Sequence, residues 1–332
     1  MRREDEDSRR VALLQPGPHA ARTIRTRRSD AAGVSSLTRP TDGRGQDARC
    51  SDCIRTTPLN AYHRRVHGVG HPSVDERIAR EVDYWRTSST ERPGIFPVAY
   101  LAQKLAEARV LLEGLERHRR LFENAQTILE LGGGQGWASC VVKSVFGCEK
   151  MVTATDVSED AVASAGRWEH VFEVKLDHVV VCPSFAIPVE DESFDLVFAF
   201  QAAHHFGAHR RTLAECNRIL RAGGSLLYLH EPTASPRLYR LAVARANRKR
   251  AGFHRDDVEP GHELVEDVIV IPKLERIARD LGYETQVRFA PTLTNRGPIE
   301  TIYYLMLSRL PFAQRHLPCT AELLFTKPTP AG

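Results

Sequence analysis

The chain has 332 residues, 42% hydrophobic and 27% charged, with a formal net charge of +4 and a mean hydropathy of −0.34. These values fit a folded protein with a sizeable core and exclude a disordered or fibrous one. No apolar run reaches the ~18 residues of a bilayer span, Val11 to Leu14 is too short for a secretory leader, and seven scattered cysteines point to reduced thiols in a cytoplasmic protein.

Residues 1–70 hold 14 Arg, no Lys and 8 acidic residues, which leaves the rest of the chain slightly acidic. They lack hydrophobic periodicity and are rich in Ser, Thr, Gly and Pro, so a disordered basic segment is expected. Cys50-x2-Cys53 and His63-x3-His67 are superficially like a zinc finger, but only nine residues separate Cys53 from His63 and no finger core accompanies them. No metal is expected. Nucleic acid is not an expected partner either, because the body of the chain lacks a basic excess of its own.

Residues 71–123 predict an N-terminal helical cap. Ser73-Val74-Asp75-Glu76 forms a capping box, and Val74, Ile78, Val82 and Trp85 recur at helical spacing. A second helix is expected from Pro97, with Leu101, Leu105, Leu112 and Leu115 as its apolar stripe. Tyr84, Trp85 and Tyr100 are candidates to line the cap, with core packing the preferred reading of Trp85.

From 124 to 328 strands and helices alternate. Expected strands are 127–131, 150–156, 178–182, 194–200 and 225–231, followed by a terminal antiparallel pair at Glu284–Ala290 and Thr320–Lys327. Helices are expected from Trp137 to Phe146, from Ser158 to Trp168, from Pro272 to Leu281, and from Pro298 through Tyr303 and Tyr304. This alternation predicts an α/β doubly wound sheet. Segments 232–271 and 291–319 read as insertions. The first carries Arg237, Arg240, Arg245, Arg248, Lys249, Arg250 and Arg255, interleaved with apolar residues as on a surface helix.

The first strand ends in Glu130 and runs into Gly132, Gly133, Gly134 and Gly136. Glycine has no Cβ and accepts positive φ, so such a bend lets backbone approach a ligand and aims the N–H groups of a helix start at it. A dinucleotide fingerprint G-x-G-x-x-G fails here, because Trp137 stands where the third glycine belongs. A glycine-rich turn without a ligand is the competing reading.

The pattern Glu130-x-Gly132-x-Gly134-x-Gly136 resembles motif I of class I S-adenosylmethionine-dependent methyltransferases. Three further passages strengthen the likeness: Met151 to Asp156, a strand ending in an acid; Ile187-Pro188 through Ser193-Phe194-Asp195-Leu196-Val197; and Glu215 to Ser225. The resemblance covers about residues 95 to 328. It implies seven strands in the order 3-2-1-4-5-7-6, the last antiparallel, with S-adenosylmethionine outside the carboxyl ends of strands one and four. It implies cofactor contacts at Glu130, Gly132, Gly133, Gly134, Gly136, Trp137, Asp156, Val157, Phe200 and Gln201, with Asp156 on the ribose. Where the family often carries an adenine-binding Asp, this chain reads Cys182-Pro183-Ser184-Phe185, so Ser184 and Phe185 are the candidates there.

Methyl transfer is an in-line displacement, in which the protein supplies alignment and, where needed, a base. His205, and secondarily His204, follow strand four directly and are the candidate bases; His230-Glu231 offers a second acid–base pair, with Glu231 either orienting substrate or capping a loop. A small-molecule acceptor, acidic in one reading of the arginine run, is expected, and no membrane partner. An RNA or protein methyltransferase, or a non-catalytic binding protein of the same fold, are the alternatives.

Overall fold

The computed structural model describes residues 73–253, 267–294 and 296–329. The basic segment, the Cys50/Cys53 and His63/His67 pairs and Arg255 lie outside the described residues. Seven strands, β1 (Thr127–Leu131), β2 (Met151–Asp156), β3 (His178–Val181), β4 (Phe194–Phe200), β5 (Leu220–Thr233), β6 (Glu284–Phe289) and β7 (Cys319–Thr326), form one sheet ordered 3-2-1-4-5-7-6. β1 to β5 run parallel, and β7 is antiparallel to both β5 and β6. Order and direction are those that the family resemblance implied.

Alternation along each strand feeds two cores. Leu129, Val197, Leu226 and Phe325 point to one face, where Leu213 and Cys216 of α7 (His209–Ile219) and Leu274 and Ala278 of α9 (Ile271–Asp280) cover them. Ile128, Val152, Phe198 and Leu227 point to the other, under α2 (Val98–Arg117), α3 (Arg119–Asn124), α4 (Trp137–Phe146) and α6 (Ala165–Phe172). The two insertions supply α8 (Tyr239–Phe253), and α10 (Pro298–Arg309) with the short α11 (Pro311–Gln314).

α1 (Val74–Thr87) opens on the expected capping box, with Ser73 and Glu76 bonded reciprocally. Several expectations need correction. Pro97 is the N-cap of α2, not its first residue, and Leu105 and Leu112 are exposed. The buried face of α2 is instead Tyr100, Val110, Leu111, Gly114 and Leu115, because Gly114 lets the helix settle against Leu229 of β5, where a Cβ would stand 3.2 Å away. The helix capped by Ser158 stops at Val162 as α5 (Glu159–Val162) and resumes as α6, since the Ser164 hydroxyl bonds back to the Asp160 carbonyl and competes with the ladder. β5 starts at Leu220 rather than 225, because Gly223 (φ +78) and Gly224 keep exchanging hydrogen bonds with Lys327.

Candidate active site

The β1–α4 bend is built as its spacing suggested. Gly132, Gly134 and Gly136 have φ of +61, +54 and +74, a conformation side chains rarely adopt. At Gly132 an added Cβ would stand 3.1 Å from both Ala202 and Phe206, so the glycine is required twice over. Two buried carboxylates brace the bend. Glu130 accepts hydrogen bonds from the Ser139 N–H (2.9 Å) and hydroxyl of α4, while its carboxyl lies beneath Gly133. Asp156, at the end of β2, accepts from the Gly134 N–H at 2.8 Å and the Ser158 N–H at 2.9 Å. Burial pushes the Glu130 carboxyl up to about 7, against the Ser139 hydrogen bonds and with help from Asp156. Burial likewise pushes Asp156 up to about 6, against its backbone N–H partners.

The bend forms one end of a cavity of about 930 Å³. Glu130, Gly132, Gly133, Gly134, Trp137, Asp156, Val157, Ser184, Phe185, Phe200, Gln201 and His205 all line it; Gly136 does not and packs instead against Leu176 and Ala165. Gly136 therefore serves the turn and not the cavity. Ser184 shares a hydrogen bond with Thr212 (2.9 Å), and Phe185 lies under the Arg211 guanidinium at 3.7 Å.

α1 and α2 roof the bend. Trp85 belongs to neither hydrophobic core: its ring would meet a Cβ at Gly134 at 2.7 Å, and its buried Nε1 has no hydrogen-bond partner among the described residues. Tyr100 is buried and reaches Gln135, which also receives the Trp168 indole N–H at 2.8 Å. Sequence reasoning missed Lys104, which lines the cavity 2.8 Å from Glu107 and 3.7 Å from Glu91. Burial opposes its charge, but those two carboxylates outweigh it and hold the ammonium pKa above its ordinary value. Its spacing to Glu107 was readable; Glu91, on a loop, was not.

The β4 end shows what separates the two histidines. β5 bulges between Tyr228 and Glu231, with His230 at φ +57. The bulge brings Glu231, wholly buried, under the turn after β4, where it accepts from the Ala202, Ala203 and His204 N–H groups and pairs with His204 Nδ1 at 2.8 Å. Glu231 is thus the cap of that turn, and His204 is part of its bracing, absent from the cavity lining. His205, with its ring centroid 4.1 Å from that of His204, faces the cavity. Burial holds His230 neutral, its pKa lowered to about 3, and it stacks on Phe200 outside the lining.

The far wall comes from the insertions. Ala242, Arg245 and Ala246 of α8, Glu300 and Tyr304 of α10, Asp267 and Arg296 line it. Arg77 pairs with Asp267 at 3.1 Å and Arg245 with Glu300 at 3.7 Å. Arg296 covers the Tyr304 ring at 3.9 Å, and among the described residues no carboxylate lies within ion-pair distance of it. Arg296 was missed because an isolated arginine in an insertion has no pattern to mark it.

A family model described as a methyltransferase domain matches residues 129–228, from β1 through most of β5. The sheet order 3-2-1-4-5-7-6 and the glycine bend agree with that match. Residues 129–228 form a methyltransferase domain of the class I S-adenosylmethionine-dependent kind. Phthiotriol/phenolphthiotriol dimycocerosates methyltransferase 1 of Mycobacterium ulcerans is 28% identical over 182 residues, 50% of this chain and 64% of that protein. Glycine/sarcosine/dimethylglycine N-methyltransferase of Actinopolyspora halophila is 32% identical over 115 residues, 32% of this chain and 19% of that one. 27-O-demethylrifamycin SV methyltransferase of Amycolatopsis mediterranei is 28% identical over 102 residues, 30% and 36% of the two chains. The chain spans less than two thirds of the length of each of these methyltransferases, and their names give three unrelated acceptors. The family match leaves α1, α2, α8 and α10, which supply the roof and far wall of the cavity, outside it.

Proposed function

We propose that the protein transfers the methyl group of S-adenosylmethionine to a small acidic acceptor, and that it works in a reducing cytoplasm. The observation that carries this reading is the bend itself: Gly132 and Gly134 at positive φ, braced by Glu130 and Asp156, open onto one cavity together with His205 and an arginine wall.

The residues present suit that cofactor. Side chains at Gly132 or Gly134 would fill the cradle, and the unpartnered Trp85 N–H beside it calls for an acceptor. Each oxygen of Asp156 spends one lone pair on backbone and keeps another for ribose hydroxyls. Glu81, Glu91 and Glu107 add negative charge to the lining, as a sulfonium and an ammonium require. Ser184 and Phe185 stand at the mouth of β3 for the base, and Phe200 and Gln201 for the methionine portion.

When bound, the cofactor supplies an electrophilic methyl on sulfur. The protein's part is to hold the acceptor in line and to take its proton where the acceptor needs that. His205 is the residue assigned to the proton, held in place by the turn that Glu231 caps through His204. Arg296, with no carboxylate of its own among the described residues, is the group assigned to an acceptor anion. The free, buried Cys140, Cys182, Cys216 and Cys319 suit a reducing compartment.

Calorimetry of the full chain with S-adenosylmethionine and with S-adenosylhomocysteine tests the reading. Saturable binding of both is expected; failure of both to bind at millimolar dose overturns it. His205→Ala is expected to lower turnover and leave cofactor affinity unchanged, and a fully active variant removes His205 from its role.

A further inference from the structure

The helices of the far wall turn a second face outward. On α10, Ile299 is 80% exposed, Ile302 61% and Met306 54%, at positions i, i+3 and i+7. Leu310 continues the stripe, and Phe312 of α11 adds a ring 75% exposed. Such a stripe normally faces a core. Here the inward side of α10 is already given to Leu307, buried at 2%, and to Tyr303 and Tyr304. Beside it, joined through the Arg245–Glu300 pair, lies α8, whose sequence holds no acidic residue. Its outward side presents Arg240, Leu241 and Arg248 to solvent.

We propose that this rim, α8 with α10 and α11, docks on an anionic lipid surface, apolar side chains entering the headgroup boundary and α8 arginines meeting the headgroups. Charge selects lipid over a second copy, because a symmetric contact would set one arginine-rich, acid-free helix near its twin. Shape selects lipid over an acidic protein. Side chains three quarters exposed stand proud of the surface and would need a matching pocket on a protein, whereas acyl chains close around them unaided. No helix of the described residues is long and apolar enough to cross a membrane. The expectation of no membrane partner rested on that criterion, which does not bear on a helix lying in the interface. The docking stands on the rim alone and does not depend on the methyltransferase reading. With that reading, it brings the arginine wall of the cavity beside the lipid headgroups.

Flotation of the full chain with vesicles tests the proposal. Binding is expected with phosphatidylcholine mixed with phosphatidylglycerol, and much less with phosphatidylcholine alone. The triple variant Ile302→Ser, Met306→Ser, Phe312→Ser should partition roughly a thousandfold less, since each of the three apolar groups contributes about a tenfold factor. Arg240→Gln with Arg248→Gln should remove the preference for the anionic lipid. These side chains are exposed, so an unchanged thermal melt and unchanged S-adenosylmethionine affinity serve as controls. No flotation with the mixed vesicles overturns the proposal. So does a triple variant that floats like its parent, which would assign the binding to the arginines of residues 1–70. A dimer that the triple variant splits in sedimentation equilibrium, with no vesicle binding by the parent, assigns the face to a second copy instead.

Discussion

The two walls of the cavity are made of different material. At the β1–α4 bend the lining is backbone, glycine and carboxylates buried to within a few per cent of completeness, Glu130 tied to the Ser139 N–H of α4 and Asp156 to those of Gly134 and Ser158. Across the cavity, α8 and α10 present arginines and tyrosines on helices whose outer faces lie in solvent. A wall of the first kind tolerates almost no substitution, because a Cβ or a lost charge is felt at once by a close-packed neighbour. A wall of the second kind can change one contact at a time over an intact sheet. It is the natural place for acceptor choice, and the family match stops before it.

The sharpest test of that contrast is Gly134→Ala. The substitution forces a Cβ onto a residue at φ +54 and brings it 2.7 Å from the Trp85 ring. Cofactor affinity measured by calorimetry should fall roughly a hundredfold or more, from backbone strain and the clash together. Adding Trp85→Ala apportions the loss: recovery of affinity assigns it to the ring, and continued loss to the backbone. An alanine accepted at full affinity would show that the bend is not a close cradle, and the difference between the walls would collapse.

A middle-sized effect is expected from one charge on each wall. Asp156→Ala should weaken cofactor binding by about 1–3 kcal/mol, the worth of buried bonds to a charged acceptor. Arg296→Gln should leave that affinity alone and raise KM for an acidic acceptor about tenfold in saturation kinetics. If both variants change the same constant, the cavity does not divide as argued.

How much of this was legible in the sequence follows the same division. The glycine spacing, the acid at the end of β2 and the strand alternation are local patterns with local causes, and they placed the bend and Asp156 at the end of β2; the sheet order came only from the family resemblance those patterns carry. The roof was half legible. Ser73 and Glu76 announced α1, but the rotation of α2 is set by Gly114 against Leu229, a contact between distant segments. The pair His204-His205 looked symmetrical in sequence. What separates them is Glu231, twenty-seven residues from His204 and brought under it by a bulge that no residue pattern announced. Trp85 was read as core because it lies on the apolar stripe of α1; that stripe faces the cofactor bend, which no helix reveals on its own. Arg296 and Lys104 were silent for the same reason.

The pH dependence is the most diagnostic test, because it separates bracing of the bend from recognition of a cation. Glu130 has a carboxyl raised from 4.5 to about 7 by burial. An unfolded chain releases that proton first, so between those values the folded state holds more protons and stability falls as pH rises. Above pH 7 the full penalty is present, about 3 kcal/mol at most. Asp156, raised to about 6, adds to the fall over a lower window. Glu130→Gln keeps an oxygen for the Ser139 N–H and hydroxyl and removes the buried charge, so urea melts should find the variant equal to its parent near pH 4.5 and more stable at pH 8. A bend kept only for shape would have no use for that penalty, whereas a cationic ligand recovers it on binding. S-adenosylmethionine affinity should therefore strengthen as pH rises through the same window in the parent and flatten in Glu130→Gln. If the melts behave as expected and the affinity is level with pH in both proteins, Glu130 holds the turn alone and Asp156 is left as the anionic anchor of this wall.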